Sequence, residues 1–377
     1  MQQSFAEKYP SAASFFRNVC GSYDVACLSV GGEVRHSYLI GGHRIGLHFA
    51  GPALIPSMTK ALEHLAVPEA APPELTVCLW DSATTGVRGP ALPFNTGADA
   101  AKGEIWSYDD EDLMIISQPA CHTVNMLSHS AATGVYWVGD AAQIPYHDHG
   151  SPLRLILRRW MSERHCLLAH GAAVGLADGG VLLTGRGGCG KSTTALACLN
   201  SPLLYAGDDY CLIAAGEHPH IYSLYNTGKQ NGADTVRFPD LMPAISSLHA
   251  LDNEKALYFL HDLLPAKMTH GFPLRALLIP HITGHDNTTV RRVSPAEGLK
   301  ALAPTTVYQL PVGEQRKAIK MLGRLVQQLP NFILGLGTDI TRIPDVILAV
   351  LSDINEIPSK NYTDENGYPG QRHHPCV

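Results

Sequence analysis

The chain has 377 residues, 45% hydrophobic and 16% charged, with a net charge of −6. That length suits two domains, and the balance excludes wholesale disorder and a surface built to coat nucleic acid. The longest apolar runs, such as VILAVL, are too short to cross a bilayer, and the first sixteen residues lack the basic-then-apolar order of a secretory signal. Nine scattered cysteines without a CxxC pair argue against a disulfide framework or a structural zinc site. The expected location is the cytoplasm.

In chain order, residues 1–20 read as a helix, and 36–51 as two β-rich runs about Gly41-Gly42, a hairpin signal. Helical spacing over 54–67 is followed by a strand over 74–81 and a Gly/Ala/Pro/Thr-rich loop over 83–101. Strands near 104–110, 112–117 and 134–139 suggest a meander, so residues 1–148 read as an α+β domain without a chemical motif. Ser151 is placed to cap a helix with Pro152 at its first position, reaching about Glu163 with Leu153, Ile156, Leu157 and Trp160 on one face. Residues 149–356 then form the second domain. It begins with strands over 166–175 and 180–184, joined by a turn through ADGG. A strand over 203–215 passes through two aspartates, and helices over 314–329 and 343–355 close the domain. The polar tail 357–377 is expected to be mobile.

One stretch carries chemistry. Gly185-Arg186-Gly187-Gly188-Cys189-Gly190-Lys191-Ser192 matches G-x-x-x-x-G-K-[ST], between an apolar strand and a small-residue helix start. Glycines let backbone N–H groups cradle phosphate oxygens, and the following helix turns its positive end toward them. Lys191 adds a full charge near the β- and γ-phosphates, and Ser192, with Thr193 beside it, can ligate Mg²⁺. Asp208 and Asp209 follow where an apolar strand emerges; two adjacent acids there are costly without a cation. One suits Mg²⁺ and the other can accept the proton of an attacking hydroxyl.

Several further residues read more simply as surface or core. His147 and His149 would share one face of a strand but sit in a Pro/Gly-flanked linker; His281 with His285, and His373-His374, likewise lack further ligands. Cys189 reads as a small side chain that fits the loop, with a reactive thiol as the lesser alternative.

The run HGAAVGLADGGVLLTGRGGCGKSTTALACL followed by LLYAGDDYCLI resembles the catalytic domain of HPr kinase/phosphorylase, and more closely the kinase-like proteins related to it. SLYNTGK and the segment 301–337 extend a weaker likeness over most of 151–355, whereas the first 150 residues do not resemble the amino-terminal domain of HPr kinase. The resemblance implies an α+β fold related to phosphoenolpyruvate carboxykinase, with the P-loop in a mixed, largely antiparallel sheet. It implies transfer of a nucleotide γ-phosphate to a serine hydroxyl, with Asp208 as base, Asp209 and Ser192 at the metal, and His170 beside the phosphates or the acidic pair. The family's Glu-Arg-Gly motif is absent; YSLYNTGKQNG stands in its region, with Lys229 and Arg275 as candidate replacement charges.

The expected activity is therefore that of a kinase using ATP or another nucleoside triphosphate with Mg²⁺. The acceptor is expected on a protein or peptide, with a small hydroxyl compound as an alternative. Homo-oligomerisation is left open, and neither nucleic acid nor membrane is expected as a partner. The competing readings are a nucleotide-binding regulator or scaffold with little turnover and, more remotely, an ATPase coupled to motion. The second aspartate tilts the choice toward a kinase, since binding alone needs one acid for Mg²⁺.

Overall fold

The computed structural model describes residues 11–92, 106–118, 121–246, 255–310 and 312–356. The tail from 357, with His373-His374, lies outside the described residues, as do the first ten residues and residues 93–101 of the loop expected over 83–101.

The first sheet is built from β1 (Glu33–Ile40), β2 (His43–Ala50), β3 (Leu75–Asp81), β4 (Trp106–Asp109), β5 (Leu113–Gln118), β6 (Thr123–Ser128) and β7 (Thr133–Val138). Its order is β1-β2-β3-β7-β6-β5-β4, parallel at β2/β3 and β3/β7 and antiparallel elsewhere. The β1/β2 hairpin turns on Gly41 and Gly42, at φ 58° and 87°, the left-handed pair that a two-residue turn demands. Strand β6 was not anticipated, because TVNMLS shows no clean alternation; all six of its residues are buried, since both faces of the sheet are covered.

Six helices of seven residues or more occur among the described residues: α1 (Ala12–Ser29), α2 (Arg154–Ser162), α3 (Lys191–Ala197), α4 (Pro295–Val307), α5 (Val312–Gln328) and α6 (Ile343–Glu356). Ser11 and Ser14 form a capping box at the start of α1. Phe15, Phe16, Val19, Tyr23 and Ala26 bury one stripe of α1 against Trp80, Ile115, Met126 and Val135 of the sheet. Such side chains contribute about 1.5–3 kcal/mol each on burial. The opposite face packs against the rest of the chain: Leu47, Leu79 and Tyr136 share one apolar cluster with Ile156, Leu157 and Trp160 of α2 and with Leu168, Leu212 and Tyr225 beyond it.

The second sheet comprises β8 (Cys166–His170), β9 (Ala172–Leu176), β10 (Gly179–Leu183), β11 (Leu204–Gly207), β12 (Tyr210–Ala214), β13 (His220–Tyr222), β16 (Gly271–Ile282), β17 (Thr289–Val293) and β18 (Asn331–Leu336). Strands β14 (Thr227–Gln230) and β15 (Ala256–Phe259) form a separate antiparallel pair. The main path runs β11-β9-β10-β16-β13-β12-β8, with β18 and β17 branching from the far end of β16. Only β10/β16 and β16/β18 are parallel. The chain is thus a mixed α+β fold. The two closing helices match expectation to within two residues, but α4 was missed. Its signal was present, a Ser294/Glu297 capping box with Pro295 at the first helical position.

Two expectations need correction. The chain over 166–175 and over 203–215 does not form two continuous strands. Instead β8 and β9 meet at Gly171, while β11 and β12 meet at Asp208-Asp209. β8 pairs with β12 and β9 with β11, so one long ribbon splays at the acidic pair. Gly171 is required there because a Cβ would press on the Leu183 carbonyl oxygen. Nor does Ser151 cap α2. Leu153 holds the N-cap position in a left-handed conformation, φ 56°, without a side-chain cap.

The segment after the second sheet is stitched to the first. Asn226 donates from its backbone to Ala61 O and from its side chain to Lys60 O, both at 2.9 Å. His64 Nε2 lies 2.6 Å from Ser223 Oγ. Burial, with His261 and His270 nearby, lowers the His64 pKa to about 3. An unfolded histidine binds a proton near pH 6.5, so this contribution to stability is complete above that pH and is lost as pH falls toward 3. The expected slope is about 1.4 kcal/mol per pH unit below 6.5. Urea midpoints between pH 7.5 and 5 would test it; an equally steep loss in His64→Gln would show that another group is responsible.

Candidate phosphate-binding and catalytic site

Strand β10 ends at Leu183 and the chain turns through the loop into α3. Gly185, Gly188 and Gly190 have φ of 140°, 77° and 106°, conformations that side chains strain to adopt. Gly185 is buried, while Arg186, Gly187 and Gly188 are exposed, so the loop presents its backbone at a surface. Cys189 is half-buried, and its Sγ stands 3.0 Å from where a Cβ on Gly185 would lie. A Cβ on Gly190 would overlap Leu336 Cδ1. Gly190→Ala is therefore expected to distort the loop at a cost of about 1–3 kcal/mol and to remove most nucleotide affinity. Calorimetric titration with ATP would check this, and unchanged affinity would refute it.

Lys191 is 7% exposed, and its Nζ donates to Gly185 O at 2.9 Å and Arg186 O at 3.2 Å. The ammonium thus sits within the loop that it is expected to serve. Ser192 and Thr193 follow in the first turn of α3, both half-buried.

The splayed ribbon brings the acidic pair to this loop. Asp208 is 2% exposed; its Oδ2 accepts from the Lys229 backbone N–H at 3.2 Å, and its Oδ1 is buried without a partner. Burial, reinforced by the neighbouring Asp209 charge, pushes the Asp208 carboxyl up to about 6, although the nearby Ser192 hydroxyl works the other way. Asp209 occupies a left-handed conformation, φ 62°. Burial opposes its charge, but His170 and Lys229 outweigh that and hold its carboxyl well below the usual range. Lys229 Nζ is 3.0 Å from Asp209 Oδ2, and His170 Nε2 is 3.7 Å from Asp209 Oδ1, beyond a direct hydrogen bond. His170 pairs across the ribbon with Tyr210, and its Nδ1 is buried without a partner.

The fold therefore gathers Ser192, Asp208, Asp209 and His170, four residues singled out in the sequence, with Lys229 as the fifth, while the Lys191 ammonium stays on the loop carbonyls. Lys229 arrives on β14, which packs beside α3: Gly228 leaves room for Leu196 there. Arg275 does not join them. Its guanidinium bonds to Asp178 O at 3.3 and 3.0 Å, at the opposite end of β10. Residues Tyr146–His149 form one helical turn, not a strand, and His281 and His285 are exposed.

The oxygen donors suit Mg²⁺, a hard cation commonly held by one or two carboxylates together with substrate phosphates. The Asp209 carboxylate, held anionic by His170 and Lys229, and the Ser192 hydroxyl in the first turn of α3 offer such oxygen donors, which leaves the unpartnered Asp208 Oδ1 for the acceptor. Among the described residues, the one three-ligand group of acids and histidines lies elsewhere, at Glu63, His261 and Asp262. Lys60 Nζ already stands 2.5 Å from Asp262 there. No helix among the described residues is long and apolar enough to cross a membrane.

No protein-family model and no curated protein matches the chain. Among solved structures, the HPr(Ser) kinase/phosphatase from Coxiella burnetii is similar over 50% of this chain and 98% of that one. The identity is 10% and the TM-score 0.30.

Proposed function

We propose that the chain is an ATP-dependent phosphotransferase acting on a hydroxyl acceptor, a serine of a protein or peptide. The observation that carries this reading is Asp208: a buried carboxylate with one oxygen unpartnered, beside the first turn after the phosphate loop. A module that only binds nucleotide has no need of a second acid beside the one that serves the metal.

The loop backbone and Lys191 bind the phosphates and counter the charge that develops on them. Mg²⁺, when held by Ser192 and Asp209 together with the nucleotide, supplies charge neutralisation on the β- and γ-phosphates. Asp208 orients the acceptor hydroxyl. As the acceptor oxygen bonds to the γ-phosphorus, the bond from that phosphorus to the β–γ bridging oxygen breaks, the hydroxyl proton passes to Asp208, and ADP leaves. A carboxyl with a raised pKa is the better proton acceptor in such a step. His170 and Lys229 keep Asp209 anionic. In the proposed division, residues 149–356 do this chemistry.

The test is incubation of the protein with Mg²⁺ and γ-labelled ATP, with and without cell extract, beside Lys191→Ala and Asp208→Asn. Label in an acceptor that disappears in both variants supports the reading. Tight ATP binding with no label moved to any acceptor would overturn it in favour of a nucleotide-binding regulator.

A further inference from the structure

Beside the acidic pair stands an arginine that the reading above leaves unused. Arg154 opens α2, and its guanidinium carbon lies 4.9 Å from the centroid of the Tyr210 ring. Tyr210 directly follows Asp209, and its ring centroid is 6.0 Å from that of His170. His170 in turn faces Asp209 at 3.7 Å. Arg154 is therefore one aromatic ring away from the catalytic pair.

Its setting is unfavourable for a cation serving only structure. It occupies the first position of a helix, where the backbone dipole opposes positive charge, and no acidic residue stands in that first turn. Its neighbours on α2 are paired: Arg158 with Glu314 at 2.7 Å, and Arg159 with Glu163 at 2.7 Å. Arg154 is half-buried, and among the described residues no carboxylate lies within ion-pair distance of it. Asp148 shares a small cavity of about 30 Å³ with Arg154, and Gln118, Asn125 and Tyr136 of the first sheet line it as well. That space holds about one water. That cavity is therefore too small to admit a ligand group. Stacked on a ring, a guanidinium keeps its in-plane N–H groups free for an anion.

From this we infer that Arg154 binds an anionic group of the acceptor, a carboxylate or phosphate carried close to the reactive hydroxyl. The inference rests on the phosphotransferase reading and adds the chemical class of its substrate. The anion is either part of a peptide, as a chain terminus or acidic side chain, or part of a small hydroxy acid. Arg154 acts as a specificity residue: it selects and places the acceptor.

The experiment uses paired probes in two arms. Short seryl peptides with a C-terminal carboxylate are compared with their amides, and glycerate with glycerol, at saturating Mg²⁺ and γ-labelled ATP. Binding of the same probes is measured by calorimetry with a non-hydrolysable ATP analogue. Wild-type protein should favour the anionic member of a pair by at least about tenfold, the size expected of one charge-assisted contact. The arm that shows the preference identifies the source of the anion. Arg154→Met should erase it by raising the acceptor KM, with ATP affinity unchanged, and Arg154→Lys should restore part of it. Equal use and equal binding of charged and neutral probes by wild type would overturn the inference. So would a preference that survives in Arg154→Met. An Arg154-dependent binding preference without label transfer would uphold the anion site and sink the kinase reading instead.

Discussion

Asp208→Asn is expected to lower phosphate transfer by about 10²–10⁴-fold, the usual loss on removing a general base, while leaving ATP affinity nearly unchanged. The same variant should be more stable than the wild type. Asp208 is 2% exposed, has one oxygen without a partner and adjoins a second carboxylate. A carboxyl whose pKa rises to about 6 in the folded protein binds its proton more tightly there than in the unfolded chain, so its ionisation above that pH opposes folding. Asparagine keeps the shape, can still accept from the Lys229 N–H, and carries no charge. The expected gain in metal-free protein at pH 8 is about 1–2 kcal/mol, or a few degrees in melting temperature. Loss of activity with gain of stability is the signature of a group kept for chemistry. A variant that retains full transfer would remove Asp208 from the mechanism. One that loses transfer and also melts lower would mean that its hydrogen bond to Lys229 matters more to the fold than its charge costs.

Lys191→Ala should act on both binding and transfer. The Lys191 ammonium now satisfies two loop carbonyls, Gly185 O and Arg186 O. With nucleotide bound it is expected to face phosphate oxygens, where a charged hydrogen bond contributes about 1.5–3 kcal/mol. ATP affinity should fall about 10–100-fold, and transfer by about 10³-fold, because the same charge is worth more as negative charge develops. The melting temperature should fall by a few degrees, since the buried Gly185 carbonyl loses its donor, whereas the Arg186 carbonyl can turn to water. Equilibrium titration and single-turnover label transfer separate the two losses. Weaker affinity with an unchanged single-turnover rate at saturating ATP would show that Lys191 contributes to ground-state binding alone.

The loop was legible because everything that it needs lies within the single stretch 179–194: an apolar strand, the glycines, the lysine and the first turn of the helix. Asp208 and Asp209 were legible as chemistry, since two acids in an apolar run are costly by themselves. Their geometry was not. LLYAGDDYCLIAA reads as one strand because the apolar residues continue on both sides. The break comes from tertiary pairing, β11 with β9 and β12 with β8, which no local pattern encodes. Lys229 was named only as a guess, because its partner Asp209 is twenty positions earlier and meets it through β14. Arg154 was read as part of a helix and nothing more. The Ser151-Pro152 signal placed the start of that helix too early, and the left-handed Leu153 that sets the start is an unfavourable local choice imposed by packing. Helix α4 was missed despite a full capping box, because the strand-rich sequence before it drew the reading toward more strand.

The apolar cluster shared by the two sheets bears on how the polypeptide can be divided. Cleaved between β7 and α2, the amino-terminal half would bare Leu47, Leu79 and Tyr136, and the remainder would bare Ile156, Trp160, Leu168 and Leu212. Two such surfaces, made separately, have nothing to cover them except each other. Co-expressed halves should therefore find one another and restore nucleotide binding without a covalent link. The seam between the sheets is thus a natural place to build a split reporter, with the phosphate loop wholly on one fragment and its output dependent on the other.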